Sequence, residues 1–363
     1  MYLPKGPIQN VTVLVPAHNE GPFIAEALLS LQRQMRPANR ILVVADNCTD
    51  NTVAEARRVG CEVYETVNNK KKKAGGLNQA LAIVMPDMDS NDIIVCMDAD
   101  TELSRRWIRY ALEELDSHPL AGAVSAAYFG SDIPGILASV QRIEYAADRR
   151  RVARRKARVN VLSGTATAMR VGALRQVAAR RGKELPGIPG EIYFEDSLTE
   201  DYELTLALKT LGYQTTSPKN CIVTTDVMST FKGLVHQRIR WQRGTLETLK
   251  SYGWTSVTRP MWREQFLMYA MSLFFPCIVA VWVYAIHSGH ISTSPLWFLL
   301  APLASLEGLV IAWRVPSRRV RLTAAAVVPM YVYDLVRAWL YWIAMWYAVI
   351  GATKVWHQTL ERR

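Results

Sequence analysis

Short apolar runs alternate with amphipathic stretches over the first hundred residues. Val11–Val15 is a strand candidate followed by Pro16, and a helical pattern then runs from about Phe23 to Gln34. Ile41–Val44 is the next apolar run, and Thr49 or Asp50 can cap a helix that continues through Arg58. Cys61–Thr66 reads as a third strand, Gly75–Met85 as a helix and Ile93–Met97 as a fourth strand. This β-α-β-α order predicts an α/β domain, a mostly parallel sheet with helices on both faces. Ligands of such sheets bind beyond the carboxyl ends of the strands. Asn19-Glu20, Asp46 and Asp98-Ala-Asp100 each lie just after a strand candidate, so carboxylates from three strand ends are expected on one rim.

Beyond Arg105 the pattern predicts a helix to about His118, a strand near Ala121–Ala126 and a long helix around Ile136–Arg158. Val159–Arg170 reads as a further strand and Glu200–Leu211 as a helix ending at Gly212. The stretch Gly182–Thr199 is rich in Gly, Pro and acids and is expected to form a loop over the site. No internal repeat is visible.

The last hundred residues change character. Phe266–Ile286 is 21 residues without a formal charge, and Leu296–Trp313 is 18 residues with Glu307 as its one acid. Both are long enough to cross a bilayer. The loop His287–Pro295 has no Lys or Arg whereas Arg314–Arg321 has four, which puts the first outside and the second inside with the catalytic part. Leu322–Ile350 is too long for one crossing, so a break is expected near Pro329, an interfacial piece before it and a span over 330–350. The side on which the tail 354–363 lies stays open. Inside these segments, Asp334 and Arg337 stand at i, i+3 and can pair on one helix.

Composition sharpens the picture. The chain has 363 residues, 50% of them apolar, which excludes a disordered chain and leaves room for about two domains. With 43 Lys and Arg against 32 Asp and Glu the net charge is +11. Arg149–Arg151, Arg154–Lys156 with Arg158, and Lys70–Lys73 form basic blocks that suit phosphate, anionic headgroups or nucleic acid. A solvated helix face and a loop explain the same charges. Five cysteines without a CxxC pair point to reduced thiols facing a cytoplasm. Residues 1–10 lack a signal-peptide pattern, so the catalytic part is expected on the side where it is made.

Asp98 and Asp100, two apart at a strand end, face the same way and could hold a hard divalent cation bridging to a substrate diphosphate. A strand-end turn accounts for such a pair equally well on its own. Here it comes in company: Pro16-Ala-His-Asn-Glu20, Val43-Val-Ala-Asp46, Lys73-Ala-Gly-Gly-Leu-Asn78, Met97-Asp98-Ala-Asp100, Thr199-Glu200-Asp201 and Gln237-Arg-Ile-Arg240-Trp241 follow in order. The chain thereby resembles the family 2 glycosyltransferases with a GT-A domain. Its QxxRW motif resembles that of the membrane-bound branch that includes the cellulose, chitin, hyaluronan and poly-N-acetylglucosamine synthases.

The resemblance implies roles position by position. Glu20 and Asp46 would hold the base and ribose of a uridine nucleotide, and Lys73, beside Gly75 and Gly76, would contact the nucleotide and diphosphate. Asp98 and Asp100 would bind Mg2+ or Mn2+, Asp100 more directly. Asp201 is the candidate general base, with Glu191, Glu195, Asp196 and Glu200 as rivals in the acidic run; a helix N-terminus favours its ionised form. Gln237, Arg240 and Trp241 would lie near the leaving group and acceptor, although a membrane anchor explains Arg238, Arg243 and Trp254 better. Gly164 and Thr165, with Glu200 and Trp241, would line the acceptor site, and Gln141 with Glu144-Tyr145 resembles a motif preceding it.

These expectations combine into a cytoplasmic GT-A domain over 1–228, interfacial helices over 229–263, and a multi-pass membrane region over 264–353. The expected activity is inverting transfer of a sugar from a UDP-sugar to a glycan hydroxyl at the cytoplasmic membrane. Single transfer to a lipid acceptor is the alternative, and a non-catalytic membrane protein on the same fold is an alternative of another class. The expected partners are a UDP-sugar, a glycan or lipid acceptor, the lipid bilayer and a second copy of the chain, with no nucleic acid.

Overall fold

The computed structural model describes residues 8, 10–289 and 308–352. By internal packing the chain divides into two compact units. One holds residues 1–131 and 149–226; the other holds 132–148 and 227–363.

In the first unit the apolar runs become strands β1 (Val11–Ala17), β2 (Arg40–Ala45), β3 (Glu62–Glu65) and β4 (Ile93–Met97). They alternate with helices α1 (Gly21–Gln32), α2 (Thr52–Arg58) and α3 (Lys72–Val84). After β4 come β5 (Glu102–Leu103), α4 (Trp107–Ser117), β6 (Ala121–Ser125) and β7 (Ala127–Gly130). Helix α5 (Ile136–Arg154), whose residues up to Asp148 belong to the second unit, follows, and the first unit continues with β8 (Ala166–Arg170), α6 (Val171–Arg180), α7 (Glu200–Thr210), β9 (Gln214–Thr216) and β10 (Ile222–Thr225). Seven strands form one sheet in the order β3-β2-β1-β4-β8-β6-β9, and β5-β10-β7 form a smaller one. β2, β1 and β4 pair in parallel, so their carboxyl ends share one edge, while β8 runs antiparallel to both β4 and β6. The core lies where β1 and β4, buried on both faces, meet α1 and α4 through Val13, Val15, Leu28, Val95, Trp107 and Ile108.

The expected strand over 159–170 shortens to β8. Residues 162–165 form a polar turn in which Ser163 Oγ and Thr165 Oγ1 hydrogen-bond at 2.6 Å and Leu162 N–H donates to Thr205 Oγ1. Those side-chain partners replace ladder bonds, as short polar residues often do. The short strands β5, β7, β9 and β10 carry too few residues for a period to show.

In the second unit, α8 (Phe231–Tyr252) is capped by Thr230, whose hydroxyl accepts from Gly233 N–H at 3.1 Å. α9 (Arg259–His287), α10 (Arg318–Ala325) and α11 (Val328–Ile350) follow. The break expected near Pro329 is present: the chain turns at Ala326–Val327, Val327 is forced to φ +64°, and Pro329 falls in the first turn of α11, where its missing N–H costs nothing. Among the described residues no helix is long and apolar enough to cross a membrane. The spans expected at 266–286 and 330–350 coincide with parts of α9 and α11 but gain no support from it; α11 carries Asp334 and Arg337 in its midst. The span expected at 296–313 lies mostly outside the described residues, as do Glu307 and the tail.

Candidate active site

The rim is built from polar turns at the strand ends. Asn19 and Asn47, just past β1 and β2, adopt φ of +55° and +49°, a left-handed conformation that asparagine tolerates. His18 Nδ1 meets the Asp46 carbonyl, and Asn19 Oδ1 accepts from Thr49 N–H at 2.8 Å, tying the two ends together. Asp46 Oδ1 accepts from Asn47, Thr66 Oγ1 and Asn69 Nδ2 at 2.8–2.9 Å. Glu20 precedes α1, where its N–H donates to Thr52 Oγ1 at 2.8 Å. Glu20 and Asp46 thus stand on the carboxyl edge of neighbouring strands, as the pattern predicts.

Gly75 has a more local reason than room for a nucleotide. A Cβ there would lie 2.3 Å from Asn69 Oδ1. Only glycine lets Asn69 sit against α3 and reach Asp46.

The charged centre forms where β4 meets β8. Met97 pairs with Ala166, and Asp98 N–H donates to the Thr165 carbonyl at 3.1 Å, which brings the 163–165 turn alongside Asp98. Lys73 enters from α3, one residue after Lys72, whose φ is +56°. Its Nζ stands 2.7 Å from Asp98 Oδ1 and 2.7 Å from Glu200 Oε1. Burial works against the Lys73 charge, but Asp98 and Glu200 more than offset it and hold its pKa well above the usual lysine range. Asp201, in the first turn of α7, accepts from Gly164 N–H at 3.1 Å through Oδ2 and from Tyr202 N–H at 2.7 Å through Oδ1. A Cβ placed on Gly164 would meet Asp201 Oδ2 at 3.3 Å, Lys73 Nζ at 3.5 Å and Asp98 Oδ2 at 3.6 Å. Two carboxylates and an ammonium therefore converge on one glycine.

Behind them a narrow pocket is lined by Lys73, Cys96, Gly164, Tyr193, Glu200 and Asp201, with Leu162, Met169 and Leu204 on its apolar side. Burial pushes the Cys96 thiol up to about 12, so it lines this wall as a neutral group. Among the described residues no group of three or more His, Cys, Asp or Glu side chains is arranged to hold a metal. A hard cation of the Mg2+ or Mn2+ kind takes only one or two carboxylates and completes its shell with water and substrate phosphate, so Asp98 and Asp100 are the residues that would hold it.

Residues 12–178 match the family model described as glycosyl transferase family 2. This stretch, just under half of the chain, is thus similar to the family 2 glycosyltransferases. Among curated relatives, the poly-beta-1,6-N-acetyl-D-glucosamine synthase of Staphylococcus epidermidis is 24% identical over 257 residues, 69% of this chain and 58% of that protein. The synthase of the same name from Staphylococcus aureus is 25% identical over 286 residues, 77% of this chain and 64% of its own. The matched region thus spans about three-fifths of these relatives. Among solved structures, mannosyltransferase PcManGT from Pyrobaculum calidifontis, in complex with GDP-Man and Mn2+, aligns over 92% of this chain and 90% of its own at 22% identity and TM-score 0.58. It shares the fold, and the GT-A architecture expected from the motifs is present.

In the first unit the structure brings Lys73, Asp98, Gly164, Glu200 and Asp201 together, with Thr165 and Asp100 adjoining in the chain. The rivals of Asp201 have other employment: Asp196 pairs with Lys71 at 2.8 Å, and Glu195 accepts from Asn78. Three groups that brace the site receive no role from the sequence. Asn78 accepts from the Ile192 and Tyr193 N–H groups and donates to the Tyr193 carbonyl, pinning the 182–199 loop to α3. Arg181, fully buried, pairs with Glu203 of α7 and donates to the Ile192 carbonyl at 2.5 Å. Tyr193 lines the pocket. Arg181 was hidden in an ordinary run of basic residues, and only its burial reveals it.

The QxxRW residues lie on α8 in the second unit. Trp241 is 38% exposed, and the Arg238 guanidinium lies over its ring, 4.5 Å from the centroid. Arg238 is no surface anchor: its side chain is 3% exposed and donates to Glu144 Oε2 at 2.6 Å and to Tyr333 Oη at 3.0 Å. Arg337 adds a bond to Glu144 Oε1 at 2.9 Å and pairs with Asp334 at 3.5 Å, as the i, i+3 spacing suggests. Arg243 is likewise buried, against Glu247. Trp254, 65% exposed, keeps the character of an anchor. Gln141 exchanges two hydrogen bonds with the Met228 backbone and fixes the entry to α8.

Proposed function

We propose that the chain is an inverting glycosyltransferase that moves N-acetylglucosamine from a UDP-sugar to the hydroxyl of a β-linked glycan. The observation that carries the reading is the convergence of Asp98, Lys73 and Asp201 on Gly164 at the carboxyl edge of the sheet. Glu20 and Asp46 hold base and ribose, and Lys73 compensates the diphosphate. Asp201 accepts the proton of the attacking hydroxyl, and the Gly164 N–H aims it. Attack from the face opposite the departing diphosphate turns an α-linked donor into a β-linked product. When bound at Asp98 and Asp100, Mg2+ or Mn2+ supplies positive charge to the leaving diphosphate. Gly164, Thr165 and Glu200 border the acceptor side. The names of the curated relatives support the sugar and the glycan product. Exposed apolar side chains of α9 and α11, among them Phe266, Met271, Val281, Trp339, Trp346 and Val349, support a place at a lipid surface.

The test is release of UDP from a panel of UDP-sugars and GDP-mannose with Mn2+, using the full chain in detergent. UDP-N-acetylglucosamine is expected to turn over best and to yield a ladder of products. Asp201→Asn is expected to lose about 100-fold or more in kcat with little change in donor KM. Equal turnover by that variant, or a preference for GDP-mannose, overturns the reading.

A further inference from the structure

We propose that Lys73 is a resident counter-ion of the Asp98 site, displaced only when a nucleotide diphosphate arrives, so that metal and donor bind as a coupled pair. The inference rests on the donor-site reading above and adds an order of events to it. One ammonium nitrogen stands 2.7 Å from both Asp98 Oδ1 and Glu200 Oε1, and the side chains of all three are largely buried, 19%, 33% and 9% exposed. Asp98, the first carboxylate of the pair expected to take the cation, thus already shares a cation with Glu200.

A divalent ion binds a carboxylate oxygen at about 2.1 Å. With Lys73 beside the same carboxylate, the two cations would stand close together in a half-buried site and repel strongly. A metal ion arriving alone must therefore push Lys73 away from Asp98, leaving it beside the ion with Glu200 but without the Asp98 carboxylate. A diphosphate removes the conflict, because its oxygens give the ammonium a new partner while they complete the coordination of the ion. The four-carbon stem of Lys73 lets its charge swing without moving α3. Asp98 and Glu200 are meanwhile spared mutual repulsion in the resting enzyme.

Binding of Mn2+ tests this, read from the loss of its free-ion paramagnetic resonance signal on the full chain, with and without UDP and with no turnover. UDP is expected to tighten Mn2+ binding by wild type about tenfold or more. Lys73→Met is expected to bind Mn2+ alone at least about fivefold tighter than wild type, with a smaller gain from UDP. Lys73→Gln serves if the methionine variant does not fold by circular dichroism, and Lys73→Arg, which keeps the charge, is expected to retain the wild-type coupling. Folded neutral variants that bind Mn2+ no tighter than wild type overturn the inference while leaving the donor site standing. Failure of wild type to bind UDP even with Mn2+ overturns both.

Discussion

Gly164 shows how one missing side chain organises a centre. Its N–H holds Asp201 while its bare Cα leaves the space into which Lys73 and Asp98 also point. In Gly164→Ala the new methyl would touch all three groups, pressing most on the Asp201 oxygen at 3.3 Å. Because the crowding falls on the far ends of side chains and not on backbone, the fold is expected to survive. Activity is expected to fall about tenfold or more through misplacement of the base. Turnover measured beside a thermal melt checks this, and a melt lowered in proportion to the activity would sink it. The DxD and TED motifs were legible in the sequence only through the ordered company of the other motifs, since a lone acid at a strand end or helix start is commonplace. Gly164 was legible only by resemblance, since nothing in a lone glycine announces what crowds around it.

Between elements, two buried ion pairs do the bracing. Arg181 and Glu203 are wholly buried and join the end of α6 to the first turn of α7, two residues from Asp201. Arg181→Met would strand the Glu203 carboxylate and is expected to cost about 3–5 kcal/mol in denaturant unfolding, whereas Arg181→Met with Glu203→Leu is expected to recover much of it. A double variant as unstable as the single one contradicts this account. On α5, burial raises the Glu144 pKa, but Arg238 and Arg337 outweigh it, and the carboxyl lies below its ordinary value of 4.5. A depressed carboxyl stabilises the fold above that ordinary value and loses its contribution as pH falls through the lower folded one. Wild type is therefore expected to lose stability below pH 4.5 more steeply than Glu144→Gln, as acid titration of the unfolding midpoint would show. Neither pairing could be foreseen, because the partners are far apart in sequence and each looks like an ordinary surface charge.

For the whole molecule, apolar exposure and charge act together. α9 and α11 carry exposed Phe266, Leu267, Trp339 and Trp346 on a chain of net charge +11. Binding to anionic vesicles is expected to survive high salt, which screens the charge, and to be released by detergent, which competes for the apolar side chains. Co-sedimentation with vesicles under each condition measures it; complete release by salt alone would leave the apolar faces without this role.

Local pattern by itself determined the alternation of strands and helices, the mostly parallel sheet and the rim on which Glu20, Asp46 and Asp98 stand. Those depend on periodicity and on chain connectivity, both written in neighbouring residues. Tertiary structure alone decided that β8 enters antiparallel beside β4, that Lys73 bridges Asp98 and Glu200, and that Arg238 turns inward to Glu144. Each of these joins segments distant along the chain, and burial, not residue type, makes a charge there a partner and no longer a solvated one.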